Sequence, residues 1–155
     1  MSTPATTTQL DVVVALLNAG FTGTAYKPLR GREGPGSEYK LLHNGKPVAT
    51  VTNWGDGAGT EAFFINEFAE PVFRAAVEAI PPLRRPYGDI RMTQELALDL
   101  LAEALYAKRS MKKKTVFFVG DDYMTVNAPL SAGVAEWVRT KYPSAVILND
   151  HPAFK

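Results

Sequence analysis

Residues 38–53 read EYKLLHNGKPVATVTN. Asn44-Gly45 stands between two runs of strand-forming side chains, and that pair favours the type I′ turn, whose two central residues both need positive φ. A two-residue turn at this point fixes the register: His43 pairs with Lys46, and Leu42 faces Pro47. Pro47 then sits where its missing N–H points away from its partner strand. No further strand can pair on that side at that point, so the hairpin is expected at a sheet edge, at least locally.

Working outward from the hairpin, the flanking chain supplies the other elements. Upstream, Thr8 to Ala19 reads as a helix with Leu10, Val13, Leu16 and Leu17 on one face and Gly20 as its stop. A short strand follows over Thr24 to Leu29. GREGPGSE (31–38), with three glycines and a proline, reads as a mobile loop and a contact site. Downstream, NWGDGAGT (53–60) reads as a loop and EAFFINEF (61–68) as a strand. A helix spans 69–80, with Pro71 in its first turn and Val72, Phe73, Ala76, Val77 and Ile80 as its buried stripe. Thr93 caps a further helix to Lys108, marked by Leu96, Leu100, Leu101, Ala104 and Leu105 on one face. A hairpin at 115–127, a helix at 131–141 and a strand at 144–149 complete the chain. Strands and helices do not alternate as a doubly wound sheet requires. The expected fold is therefore α+β: an antiparallel sheet built from hairpins, with about four helices packed mainly on one face.

The length of 155 residues suits one domain, 1–155, with the irregular PPLRRPYGDIRM (81–92) as the candidate subdomain break. Cysteine is absent, which removes disulfides, thiolate metal ligands and a cysteine nucleophile. No run of residues approaches the ~20 apolar positions of a membrane span, and the N-terminus lacks the basic start and apolar core of a secretory signal. The expectation is a cytoplasmic protein, in the host cytosol if viral, with no membrane partner. Net charge is only +1, but its distribution is uneven. Residues 1–80 hold 6 Lys+Arg against 8 Asp+Glu, and residues 81–155 hold 11 against 8.

TVFFVGDDYMTVN (115–127) contains the Gly-Asp-Asp of polymerase catalytic hairpins. Two-metal chemistry needs carboxylates converging from more than one element, and no second strand here carries an acidic pair. A turn at Gly120-Asp121, of the II′ type that takes Gly first, accounts for the pattern without chemistry. Val116 and Phe118 then share a face with Tyr123 and Thr125. A metal site on Asp121 and Asp122 is the enzymatic alternative.

The glycines of NWGDGAGT lack the Gly-Lys-Ser/Thr of a phosphate loop and precede a strand rather than a helix. Trp54 reads as a core-edge aromatic, with recognition as its second role. His43 reads as an exposed turn residue. His151 follows Asp150 in a tail where no serine stands in a strained elbow. No catalytic residue, cofactor or metal is expected. The order helix, three strands, helix over 8–80 is similar to a double-stranded-RNA-binding domain, and GDGAGT (55–60) resembles that family's glycine-bearing final turn. That family grips phosphates with a Lys-rich start to its second helix. Here the segment is FAEPVFRAA, with Glu67 and Glu70 nearby, so no residue carries over.

The functional expectation is a non-enzymatic interaction protein: an assembly subunit or a small inhibitor of a larger complex. Its partner is a protein or a second copy, contacted through Arg32, Glu33, Lys46, Trp54 and the edge near Pro47. The alternative is a nucleic-acid-binding accessory protein using Arg84, Arg85 and Arg91 with Lys108, Arg109, Lys112, Lys113 and Lys114.

Overall fold

The Asn44-Gly45 turn and its two flanking pairs hold in the structure, and the ladder then shifts by one residue, to Leu41 opposite Ala49. A computed structural model describes residues 8–120 and 122–154, in which four α-helices and seven strands form a mixed α+β fold. Asn44 and Gly45 have φ of 52° and 83°, as the type I′ turn requires, and His43 pairs with Lys46 and Leu42 with Pro47. The strands fall into two antiparallel sheets rather than one. The chain divides into two compact units, residues 1–105 and 106–155, and the division falls within a helix.

The first unit begins with α1 (Gln9–Asn18). Thr8 and Asp11 form a reciprocal capping box, Thr8 Oγ1 accepting from the Asp11 N–H and Asp11 Oδ2 from the Thr8 N–H. Four strands follow as a meander in chain order: β1 (Phe21–Gly31), β2 (Gly34–His43), β3 (Lys46–Asn53) and β4 (Thr60–Phe64). The hairpin of β2 and β3 is therefore the middle of the sheet, and its expected position at an edge is corrected. The local part of that reading stands, because β4 pairs with β3 only from Ala49 to Asn53. Beyond that ladder only the Ile65 N–H reaches back, to Val48 O, and Pro47 is left beside no further strand.

The register turns Tyr39, Leu41, Ala49 and Val51 to one face, where all four are buried. They join Val12 and Leu16 of α1, Phe73 and Val77 of α2 (Ala69–Glu78), and Ala97, Leu98, Leu100 and Leu101 of α3 (Gln94–Ser110) in one core cluster. Phe73 meets Phe21 edge-on at 5.1 Å between ring centroids and Phe64 at 6.1 Å. Tyr39 crosses the layer to donate its hydroxyl to Leu98 O at 2.8 Å. The irregular 81–92 segment is closed by paired hydrogen bonds between Leu83 and Ile90 and places Leu83 and Met92 in the buried set.

GREGPGSE is not a loop. Gly31 pairs with Gly34 and Arg30 with Pro35, so the segment is the tip of the β1–β2 hairpin with Arg32-Glu33 as its turn. Glycine suits this strand because backbone meets backbone there. A Cβ on Gly36 would lie 2.0 Å from Asn53 O, and one on Gly31 would lie 2.2 Å from Trp54 O. The Glu33 N–H donates to Gly55 O at 2.7 Å across the same contact. The predicted strand 61–68 also stops early. Asn66 Oδ1 accepts from the N–H groups of both Phe68 and Ala69, turning the chain into α2.

The second unit holds the end of α3, then β5 (Thr115–Val119), β6 (Asp122–Val126), α4 (Ala132–Lys141) and the two-residue β7 (Val146–Ile147), in sheet order β6-β5-β7. The hairpin register is the expected one, with Phe118 opposite Tyr123 and Val116 opposite Thr125. Ser131 caps α4. Asn149 continues β7 with its side chain: its Oδ1 accepts from the Val116 N–H and its Nδ2 donates to Lys114 O. Phe117, Val138 and Ile147 form the core of this unit.

Two glycine-to-alanine changes test these contacts with opposite signs. Gly36→Ala drives a methyl into Asn53 O and is expected to lower the unfolding free energy by about 1–3 kcal/mol. Gly133→Ala, in α4 with no heavy atom within 4 Å of the new Cβ, is expected to raise it by up to about 1 kcal/mol. Urea titration of both variants reads the pair, and a neutral Gly36→Ala would refute the close approach.

Candidate interaction surface

A sheet has two edges, and those of the first unit differ in chemistry. β1 carries Lys27, Pro28 and Arg30, and its ladder with β2 is interrupted between Thr24 and Lys27, where Ala25 takes a φ of 55°. Charge, proline and a bulge are the features that keep an edge from recruiting another strand. β4 reads TEAFF: it has neither proline nor bulge, and its one charge is the exposed Glu61 near its start. The Ile65 N–H bonds to Val48 O, so strict alternation along the ladder turns the N–H and C=O of Ala62 and Phe64 away from β3.

Large exposed apolar side chains lie on that edge and on the chain that follows it. Phe63 is 60% exposed and Ile65, two residues on, 64%. Phe68, where the chain enters α2, is 74% exposed, and Val72, one turn further, 48%. The buried stripe expected for α2 holds at Phe73, Val77 and Ile80, with Ala76 half-buried, and is corrected at Val72, which faces out. Single exposed apolar residues are ordinary, but four within ten residues beside an unprotected edge are not.

The contact residues named from the sequence separate into two places. Arg32 and Glu33 form the β1–β2 turn, which packs its backbone on the segment after β3 that carries Trp54. Trp54 is 54% exposed and not a core aromatic. Asn53 Oδ1 accepts from the Gly55 N–H and Asp56 Oδ1 from the Ala58 N–H, so this corner is held by its own side chains. Lys46 lies at the far end of β2 and β3, roughly 30 Å away at the rise of an extended strand.

Sequence reading missed a line of carboxylates on α3. Glu95, Asp99 and Glu103 recur every fourth residue and so share a helix face. Glu95 Oε1 accepts from the Thr60 N–H at 3.2 Å. Asp99 Oδ1 accepts from Thr60 Oγ1, which itself accepts from Asn53 Nδ2 at 3.2 Å. The start of β4 is thereby tied to α3. Gln9 Nε2 lies 3.3 Å from Glu103 Oε2, and its Oε1 lies 3.2 Å from both terminal nitrogens of Arg85, the orientation in which donors meet acceptors. Burial raises the Asp99 pKa, with Glu95 adding to the rise and the Thr60 bond opposing it. Burial and then Asp99 raise that of Glu103, against Arg85. Burial, with Asp99 second, holds the Tyr39 phenol well above its ordinary value, so it stays a donor to Leu98 O.

Of the basic residues, Arg84, Arg85 and Arg91 belong to the first unit and Lys108, Arg109, Lys112, Lys113 and Lys114 to the second. All but the half-buried Arg85 are exposed. Asp121 lies outside the described residues, and Asp122 is exposed at the start of β6. Among the described residues no group of three or more His, Asp or Glu is placed to hold a metal ion, and no helix is long and apolar enough to cross a membrane. His43 is not an open turn residue: its ring stacks on Phe21 at 4.3 Å. Ser131 Oγ caps α4, and Ser110 Oγ donates to Tyr106 O. No family model, curated protein or solved structure matches the chain.

The raised carboxylates fix a pH dependence. Asp99 binds its proton more tightly folded than unfolded, so its ionisation weakens the fold and the folded state gains as pH falls from neutrality towards the ordinary carboxylate range. Glu103, raised in the same direction but more exposed, adds a smaller share. Asp99→Asn keeps an acceptor for Thr60 and removes the charge. Denaturant titration across this range is expected to show wild type gaining stability relative to Asp99→Asn as the pH drops. A loss would refute the assignment.

Proposed function

We propose that the protein is a non-enzymatic interaction protein that docks a partner polypeptide on β4. The observation that carries this reading is the contrast between the two edges of one sheet. One edge has lysine, arginine, proline and a bulge; the other carries a single charge, Glu61, no proline and no bulge, and displays Phe63 and Ile65. An added strand would take the outward N–H and C=O groups of Ala62 and Phe64 as its ladder, and the exposed side chains would supply pockets for alternate residues of the incoming chain. The main-chain bonds provide affinity without reading sequence. Phe63, Ile65 and Phe68 provide the apolar anchors that dominate such contacts. Trp54, Arg32 and Glu33, held at the glycine-rich corner, are a second exposed group on the same unit.

Phe63→Lys combined with Ile65→Lys places charge on the docking edge without touching the core. Because both side chains are exposed, unfolding stability is expected to stay within about 0.5 kcal/mol of wild type. Affinity for the partner captured from the native host, or for a second copy measured by light scattering, is expected to fall at least about 30-fold. Thr24→Lys on β1 is expected to leave that affinity unchanged. A double variant that retains the same partners, or a wild type that is strictly monomeric and captures none, would overturn the reading.

A further inference from the structure

Dividing the chain at its contact boundary sharpens the charge asymmetry. Residues 1–105 hold 9 Lys+Arg against 12 Asp+Glu, a balance of −3, and residues 106–155 hold 8 against 4, a balance of +4. Five of those eight cations fall within seven positions: Lys108, Arg109, Lys112, Lys113 and Lys114. All five are exposed. The ion pairs Lys27–Glu38 and Arg74–Glu70 lie in the first unit, and none of the five side chains has an ionic or hydrogen-bonded partner among the described residues.

The backbone beneath these cations is fixed. The Met111 N–H bonds to both Ala107 O and Lys108 O, and the Lys113 and Lys114 N–H groups both bond to Ser110 O. Asn149 Nδ2 then holds Lys114 O, and the next residue, Thr115, is fully buried with its hydroxyl on Ala128 O. The charges are therefore displayed from a rigid turn and not from a frayed tail. The C-terminal end of α3 favours Lys108 and Arg109 through the helix dipole, which falls off within one turn. Lys112 to Lys114 lie past that end, three adjacent like charges that form no ion pair with an acid among the described residues.

We propose that this turn is a binding site for the phosphodiester backbone of nucleic acid, independent of the docking edge on β4. Four of the five cations are lysines. Lysine meets phosphate as a mobile point charge and lacks the planar fork with which arginine reads a guanine edge. Contacts of this kind neutralise phosphates and carry no sequence information, so binding is sequence-independent. A membrane surface fits less well. Peripheral membrane contacts combine basic residues with apolar side chains free to insert. Between these cations stand Ser110 and Met111, both half-buried, and the strand that follows begins in the core.

Fluorescence anisotropy of the full chain tests the site, using short duplexes and single strands of two unrelated sequences. Neutralising five phosphates sets a slope of log affinity against log salt of at most about −4.5 on duplex, a loss of about 500-fold between roughly 50 and 200 mM salt. Both sequences are expected to bind alike. The triple change Lys112→Gln, Lys113→Gln and Lys114→Gln keeps the side-chain stems and is expected to reduce the slope by about 2.5. The triple change Lys27→Gln, Lys40→Gln and Lys46→Gln removes the same net charge from the first unit and is expected to leave the slope unchanged. Equal effects of the two triples would reduce the site to net charge and overturn it, as would flat salt dependence. Tighter binding to phosphatidylserine–phosphatidylcholine vesicles or to polyglutamate than to either nucleic acid would also overturn it.

Discussion

The register of the β2–β3 hairpin, set by the two-residue turn at Asn44-Gly45 and the bulge that follows it, is the constraint on which the first unit is built. Side chains alternate along a strand, so a slip of one residue would exchange every inward group for its outward neighbour. His43 lies opposite Lys46, but the ladder then shifts by one residue, from Leu42–Pro47 to Leu41–Ala49, and that bulge makes Tyr39, Leu41, Ala49 and Val51 the inward set, all four buried. Without that shift Lys40 would stand opposite Ala49 and Tyr39 opposite Thr50. Lys40 is where that alternative fails: its ammonium donates to Thr50 Oγ1 on the outer face, and burying it would remove a charge from water with no carboxylate to meet it. Everything that joins the sheet later inherits this choice. Phe64 is inward because Ala49 opposite it is inward, and Phe63 is outward because Thr50 is.

Phe63 and Ile65 therefore do not stand in water because the core had no room for them. Their register excludes them, and the sequence retains large apolar groups there, where threonine or lysine would serve the fold as well. The opposite edge shows that this chain has other solutions to an unpaired strand. Ala25 bends β1 at positive φ, a position that costs an L-residue of the order of 1–2 kcal/mol, and Pro28 removes a donor. Strain on one edge and exposed aromatic surface on the other are both unfavourable for an isolated monomer. Only the second is relieved by a partner.

What could be read from the sequence was the local chemistry of turns and caps. Thr8, Thr93 and Ser131 each begin a helix with a side-chain oxygen, and the 115–127 register follows from a two-residue bend. What could not be read depended on distant chain. GREGPGSE has the composition of a loop, and it is extended because Gly31 and Gly36 let the backbone of residues 53–55 come into contact, which no window of sequence contains. EAFFINEF reads as a strand with both faces apolar in its middle; it ends at Phe64 because one asparagine side chain captures two N–H groups, and Phe63 is exposed because nothing covers the outer face of β4 among the described residues. The spacing of Glu95, Asp99 and Glu103 was visible, but it describes a solvated helix face equally well. Only the arrival of Thr60 and Asn53 distinguishes the two.

The two proposed contacts make opposite demands on charge, which is a physical reason for keeping them in different units. Docking on β4 desolvates backbone groups and apolar side chains, and an uncompensated lysine at that edge would lose its hydration for nothing. The 108–114 turn works only while its cations lack acidic neighbours, because each internal ion pair would neutralise a charge that a phosphate must otherwise meet. In the first unit the cations near carboxylates are engaged: Lys27 with Glu38, Arg74 with Glu70, and Arg85 beside Glu103. Applying that pattern to the second unit would silence the basic turn. Applying the second unit's unpaired lysines to β4 would close the edge. On these two proposals, the charge balances of −3 and +4 answer two separate demands within one chain.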